Sequence, residues 1–461
     1  MGESTLTRRA AGSTLALLTA ACAAFTGAAP ANASTPAPVL AFNAPAPVAL
    51  VPGLVNYADP LFLTSSTTAP VKAPATITID YRNLAKVAAV SVQGDCSVKG
   101  TVATCHETLD SVGEAAGRQV STNVSLVLTP LKSAPIGAQG SYTVSGTSTK
   151  ARISGTSGTV TIGGPELKLA ARPTLSGLRV GSTVQEPIQF TNVGSRPSAG
   201  SEVLFELTPG LAFAQKYRNC AASTLLSGYT AELCHFTGTV RLGETLQLAT
   251  PVALRVTPQA LYTGLCAFAL PAGDTAGVDG ALGPNVVWHQ ESGPQLGLRV
   301  IAAGHGSTAP VGSVPVSSVT TPDYLFVRLT AHNTADFGVW GAKATGKAGS
   351  LVSVNVGLYN HGPATLISDE DPGLLFRLPP GTTAVRVPAT CGLNDTAVPG
   401  VYACGFGWAQ TFALPSGEQA GFTFVLKVNK VISRATGTVS LQGPVPFDPN
   451  PRNNSAAVTV N

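Results

Sequence analysis

Apolar side chains recur at every second position over many short stretches of the chain. Val352, Val354, Val356 and Leu358 alternate with Ser353, Asn355 and Tyr359, and Phe422, Phe424, Leu426 and Val428 alternate with Thr423, Lys427 and Asn429. Val203, Phe205 and Leu207 repeat the pattern. Period two sends successive side chains to opposite faces of a strand, so each stretch reads as a strand with one buried and one wet face. That alternation belongs to antiparallel sheets, whereas strands of buried parallel sheets are continuously apolar. Beyond residue 33 no stretch of useful length carries a 3.6-residue apolar period. Six to eight such strands in each ~130 residues, joined by Gly, Pro and Asn turns, predict two-sheet sandwiches.

The strand pattern is itself repeated. Phe205-Glu206-Leu207-Thr208-Pro209-Gly210 corresponds to Phe376-Arg377-Leu378-Pro379-Pro380-Gly381, and ten residues past each glycine stands a cysteine, Cys220 and Cys391. Cys234 answers Cys404, Thr263-Gly264 answers Thr436-Gly437, and Asn192-Val193-Gly194 answers Asn360-His361-Gly362. A weaker third copy at the front keeps the order Asn83, Cys96, Cys105 and Gly140-Ser141-Tyr142. This alignment sets Cys266 against Val439 and Tyr142, a position for a small buried side chain. Repetition of this kind changes how every residue is read.

The N-x-G turn, the F-x-L-x-P-G strand end, the paired cysteines and the closing Asp448-Pro449-Asn450-Pro451-Arg452-Asn453-Asn454 before Ala456-Ala457-Val458-Thr459-Val460 carry a resemblance. They resemble immunoglobulin-like repeat modules of unknown function from secreted or wall-linked actinobacterial proteins. The likeness is best over 322–461, weaker over 165–302 and faint over 40–164. It implies an all-β chain of three tandem immunoglobulin-like antiparallel β-sandwich domains, of a stalk or adhesion type, with no catalytic residues to carry over.

Composition sets the boundaries. Residues 1–33 read as a signal peptide: Arg8 and Arg9 precede an uncharged run that includes Leu15, Leu17, Leu18 and Phe25 and ends in Ala31-Asn32-Ala33, an A-x-A cleavage pattern. The run is Ala/Gly/Thr-rich and broken by Pro30, poor material for a membrane span. The arginine pair leaves the general secretory and twin-arginine routes both open. Residues 34–50 are Pro/Ala-rich and read as a loose leader, and 303–321, rich in Gly, Pro, Ser and Val, as a linker. Sandwiches are expected over 51–164, 165–302 and 322–461, with Gly163-Gly164-Pro165 at the first junction. Ala456–Asn461 carries no hydrophobic tail, basic stop or wall-sorting motif, so no transmembrane anchor is expected and the protein is placed outside the cell, with wall association left open.

The 461 residues include 28 basic and 24 acidic side chains, a net charge of +4. No basic block forms a phosphate-binding stripe, so nucleic acid is excluded as a partner. With 44% hydrophobic and 11% charged residues the chain is too apolar for disorder and too poor in charge for helical bundles.

After cleavage seven cysteines remain. The repeat gives each copy its own pair, Cys96 with Cys105, Cys220 with Cys234 and Cys391 with Cys404, and leaves Cys266 over. None of the pairs has C-x-x-C spacing, and His106 and His235, each directly after a cysteine, point to the opposite face of a strand. Disulfides are therefore expected, with no metal and no cofactor. Cys266 reads as a buried thiol, with an intermolecular bridge as its rival; Leu265-Cys266-Ala267-Phe268 supplies no base for a nucleophile.

No nucleophile elbow, zinc-protease or phosphate-loop motif is present. His305-Gly306-Ser307 falls in the linker. Asp369-Glu370-Asp371 with His361, and Asp448 to Asn454, are weak calcium candidates that read better as a solvated loop and as Asx turns. Of the three tryptophans, Trp408 sits beside the third cysteine pair. Trp288 and His289 lie in the 273–295 insertion that one copy alone possesses, the first place to look for a binding loop. The expectation is a non-enzymatic structural or interaction protein of the cell envelope, with a cell-wall polymer or envelope protein as partner. The alternative is a carbohydrate- or peptidoglycan-binding module working through Trp288.

Overall fold

Alternating side chains need two environments, and paired sheets provide them: one face packs against the other sheet, the other meets water. In the structure, a computed structural model, described residues are 38–42, 48–52, 57–65, 71–111, 119–225, 228–282, 286–305, 317–318, 324–367, 373–388, 390–394, 399–405, 413–443 and 445–461. The expected signal, Trp408 and Asp369–Asp371 lie outside them. The architecture is all-β, of antiparallel immunoglobulin-like sandwiches, with three main cores in chain order. Among the described residues no helix is long and apolar enough to cross a membrane.

The first core lies between a five-stranded and a seven-stranded sheet. Leu40, Leu63, Val124 and Leu126 on one side meet Ile77, Ile79, Ala103 and Val160 on the other. The expected leader is part of it. Val39–Phe42 pairs parallel with Arg152–Ser154 and antiparallel with Tyr57–Ser65, and Val48–Leu50 pairs parallel with Thr156–Ile162. Leu40 is fully buried and Phe42 nearly so. A loose leader over 34–50 is thus corrected at 39–42 and 48–50: proline and alanine dominate its composition, but the short apolar run Val39–Phe42 is a strand whose Leu40 and Phe42 join the first core.

The second core is enclosed by a seven-stranded sheet on one side and a four-stranded and a three-stranded sheet on the other. Its large sheet runs through Ser198–Leu207, Thr230–Val240 and Tyr262–Pro271, and its outer neighbour is Tyr324–His332. Composition placed that last strand in the third sandwich. It pairs antiparallel with Tyr262–Pro271, Cys266 opposite Phe326, and parallel with Leu175–Arg179. Leu325, Val327 and Leu329 enter the second core. Alternation again decides: apolar groups at period two need a face, and the edge of a neighbouring sheet supplies unpaired backbone groups. Ser317–Ser318, inside the expected linker, pairs with Val48–Leu50 of the first core.

The third core lies between the sheet of Ala335–Trp340, Leu351–Pro363, Gln419–Val428 and Thr382–Arg386 and a six-stranded sheet that includes Leu374–Arg377, Ala435–Leu441 and Ser455–Val460. Phe376 and Phe424 meet edge to face within it, ring centres 4.8 Å apart. The Asn333 amide donates to the carbonyls of Pro258 and Ala260 at 2.8 and 2.7 Å, tying the entry of the third core to a loop of the second. Tyr262 packs against Phe447 across the same junction.

The repeat has a physical content. Asn192 and Asn360 are 0% and 1% exposed. Each amide donates to the carbonyl four residues on and to one distant strand: Arg196 and Val240 for the first, Ala364 and Leu414 for the second. Each side-chain oxygen accepts the N–H of the glycine two residues later. The two glycines are needed for different reasons. Gly362 has a φ of +79°, whereas the backbone of Gly164 to Glu166 passes where a Gly194 side chain would stand. Asn83 of the first copy is exposed and bonds Lys86 instead.

Candidate functional site on the outer face of the second sheet

The 273–295 insertion begins with a helix, Thr275–Leu282, whose first turn is capped by Asp274: the Gly277 N–H donates to its Oδ1 at 3.0 Å. The helix lies on the outer face of the seven-stranded sheet. There Val278 joins Leu204, Ala231, Leu233, Phe268 and Leu270 in a satellite core, with Leu282 and Trp288 packed against it. The outer face of this sheet is apolar where most such faces are polar, and the insertion is its cover.

Trp288 is accordingly half-buried and packed against the core under the cap. His289 is exposed and opens the two-residue strand His289–Gln290, which pairs with Cys220–Thr224 through Ala222 opposite His289. Gln290 fastens the loop, its amide donating to the carbonyls of Arg218 and Cys220 at 2.7 and 2.9 Å. Glu291 pairs with Lys216 at 2.8 Å. The structure thus separates the two sequence candidates: Trp288 is half-buried against the cap's core and His289 faces solvent.

Cys266 lies beneath this cap. Phe205 faces Ala267, and Phe376 faces Val439, so the structural equivalent of Val439 is Ala267. Setting Cys266 against Val439 is off by one residue, and in a strand one residue is the other face. Burial, followed by the neighbouring Glu206, pushes the thiol up to about 12. A thiol so held is protonated and unreactive at neutral pH.

Buried carboxyls lie on both sides of this sheet, Glu202 and Asp274 on the side of the cap and Glu232 on the other, between Ala231 and Leu233, which face the cap. Asp274 is 1% exposed, and its second oxygen has no hydrogen-bond partner. Burial pushes it up to about 7; the Gly277 bond opposes this, while Glu202 and Glu166 add to it. Glu232 is pushed up to about 8 by burial first and Glu291 second, against Lys216. Glu202 is partnered, its Oε1 lying 2.9 Å from Nδ1 of the exposed His235 and accepting the Gly273 N–H at 3.0 Å.

The sulfurs are joined as Cys96–Cys105, Cys220–Cys234 and Cys391–Cys404, each directly across two antiparallel strands with Cα atoms 3.9 to 4.0 Å apart. Among the described residues, one group of three metal-capable side chains lies within reach of one ion: Cys220, Glu232 and Cys234. Two of its three atoms are consumed by the disulfide, so a single carboxyl is left and no metal fits there. Asp448 accepts the Asn450 N–H at 2.8 Å, an Asx turn. Shallow grooves lie elsewhere among the described residues. One, of about 530 Å³, lies at the second junction beside Tyr262, Asn333 and Phe447; another, of about 570 Å³, is on the first sandwich beside Thr76, Asp95 and His106.

Sequence reasoning passed over one pair of aromatics. Trp340 and Tyr359 lie side by side on the third sandwich, ring centres 6.4 Å apart and planes within 6°. The legible signal was a reciprocal G-x-W and G-x-Y: in the antiparallel register Gly338 faces Tyr359 and Trp340 faces Gly357.

No protein-family model matches the chain, and no curated protein matches it. Solved structures show likeness to parts of it. A non-cellulosomal cohesin from the hyperthermophilic archaeon Archaeoglobus fulgidus is 14% identical, covering 27% of this chain and 91% of its own, with a TM-score of 0.18. The C-terminal domain of the AgI/II polypeptide BspA of Streptococcus agalactiae is 8% identical over 55% of this chain and 98% of its own, with a TM-score of 0.16. CBD12 from CALX1.2 is 7% identical over 51% and 82%, with a TM-score of 0.19. Likenesses this slight carry nothing about ligands or partners.

Proposed function

We propose that the protein is an exported, non-enzymatic array of three immunoglobulin-like sandwiches, at residues 51–164, 165–302 and 322–461 extended by the strands described above, that serves as a structural or interaction element of the cell envelope. The observation that carries the reading is the set of three cross-strand disulfides, one in each sandwich, since such bonds persist in oxidising compartments and are rare in the cytosol. The groups that carry chemistry elsewhere are here spent on structure: the remaining thiol is held protonated and the buried acids cap, pair or pack. Fractionation of the source cells tests the reading. The expected result is protein in the culture fluid and wall fractions, shortened by the 1–33 signal; recovery from the cytoplasm alone, uncleaved and reduced, would end it. The envelope component crosslinked to it there is its partner. Trp288, packed into the cap, gives no support to sugar binding at the insertion.

A further inference from the structure

Each sandwich is closed by its own two ends. Among the described residues strands pair parallel in five places, and four of these set the strand by which the chain enters a sandwich beside the strand by which it leaves. In the first, Val39–Phe42 lies along Arg152–Ser154 and Val48–Leu50 along Thr156–Ile162. The Arg152 N–H donates to the Pro38 carbonyl at 2.9 Å, and the Gly163 N–H to that of Leu50 at 2.7 Å. In the second, Leu175–Arg179 lies along Tyr324–His332, with Leu175 opposite Leu329 and Arg179 opposite His332. In the third, Lys343–Ala344 lies along Ser455–Val460. There the Thr459 and Asn461 N–H groups donate to the Ala342 and Ala344 carbonyls at 2.9 and 3.0 Å, and Asn461 Oδ1 accepts the Gly346 N–H at 2.7 Å. In all three the entering segment also splits, its first strand joining one sheet and its second strand the other: Val39–Phe42 then Val48–Leu50, Leu167–Leu169 then Leu175–Arg179, Ala335–Trp340 then Lys343–Ala344.

Parallel neighbours point the same way, so the start of one and the end of the other lie at opposite ends of the pair. Tension on the chain then draws the two strands past each other and loads all the bonds between them at once. Antiparallel first and last strands would begin and finish side by side and part bond by bond. Closing a sheet edge needs only a partner strand, of either direction. This chain takes the shearing direction in all three sandwiches, with unlike side chains at the clamps: Val-Ala-Leu, Leu-Ser-Gly-Leu-Arg and Lys-Ala. The disulfides lie off the path of the load. Their cysteines are 9, 14 and 13 residues apart and none belongs to an entering or leaving strand, so no covalent bond joins the ends of a sandwich. Little chain is left between the clamps. The first sandwich ends at Ile162 and the next strand begins at Leu167, and Tyr324–His332 runs on to Ala335 across the joint tied by Asn333. We propose that the protein is a tension-bearing tether, its three sandwiches resisting extension through these parallel clamps in series. The proposal gives the structural role proposed above a mechanical content and rests on that reading. The two fail separately, because fractionation tests location and the pulling below tests the direction of resistance.

The test is single-molecule stretching, whose readout follows the unfolding rate rather than the equilibrium stability. The full chain is held first by tags at its two ends, and then by the C-terminal tag and a handle on Lys347→Cys, an exposed position just past Lys343–Ala344. The handle is attached at neutral pH, where the Cys266 thiol stays protonated. The second pair of points lies at one end of the third clamp, so the leaving strand is peeled from an otherwise unaltered sandwich. The third sandwich is expected to yield at a severalfold lower force when peeled than when pulled by the chain ends. This comparison needs no variant of the clamp itself. Arg152→Pro removes the N–H bonded to Pro38 at an exposed position, and should lower the force of the first sandwich while the other two steps stay where they were. Equal forces in the two directions, or a first step unmoved in folded Arg152→Pro protein, would overturn the proposal.

Discussion

The residue that repays attention first is Asn360, with Asn192 as its counterpart. A buried amide making bonds to two carbonyls and one N–H joins a turn to a distant strand, and removing it leaves those backbone groups unpaired in a dry interior. Asn360→Ala is expected to destabilise the third sandwich by about 2–3 kcal/mol, read as a lowered urea midpoint; a change under about 0.5 kcal/mol would show that water replaces the amide. The N-x-G motif was legible in the sequence, but what it does was not, because one bond of each amide reaches across the fold to a distant strand. Cys266 shows the opposite difficulty. An alignment by motif tolerates a one-residue slip that a strand does not, and the slip exchanged a core position for one under the cap.

At the scale of elements, the strands were readable because alternation is local, while their assignment to sheets was not. Tyr324–His332 alternates over Leu325, Val327 and Leu329, and Val39–Phe42 is a short apolar run whose burial alternates only once folded, yet the segments around them are rich in proline and glycine, and composition assigned them to a leader and to the wrong sandwich. The cap was legible as an insertion but its packing was not, since a tryptophan in a long loop is apolar for either purpose. Two buried acids, one capping the helix and one on the opposite face of the sheet, make a pH prediction. Asp274 and Glu232 stand at about 7 and about 8 in the folded protein, against ordinary values of 3.8 and 4.5. Between these values the unfolded chain has released protons that the folded one keeps, so their contribution is fully present below pH 4 and is lost as pH rises to about 8. Thermal melts should show stability falling from pH 5 to pH 8 by on the order of 6 kcal/mol for the two groups together. Asp274→Asn with Glu232→Gln should flatten that slope; a slope unchanged in the double variant would contradict the assignment.

At the scale of the whole molecule, three cores follow one another along the chain, and strands cross between them: Ser317–Ser318 returns to the first sheet and Tyr324–His332 closes the second before the third begins at Ala335. The central claim is that each sandwich is pinned by its own sulfur bridge, in a compartment that allows such bonds. Proteolytic mapping of the native protein without reductant, after alkylation under denaturing conditions, tests it most directly. The account predicts peptides linked as Cys96–Cys105, Cys220–Cys234 and Cys391–Cys404, with the alkyl label on Cys266. Bridges that join different sandwiches, or label on all seven of these cysteines, would contradict it.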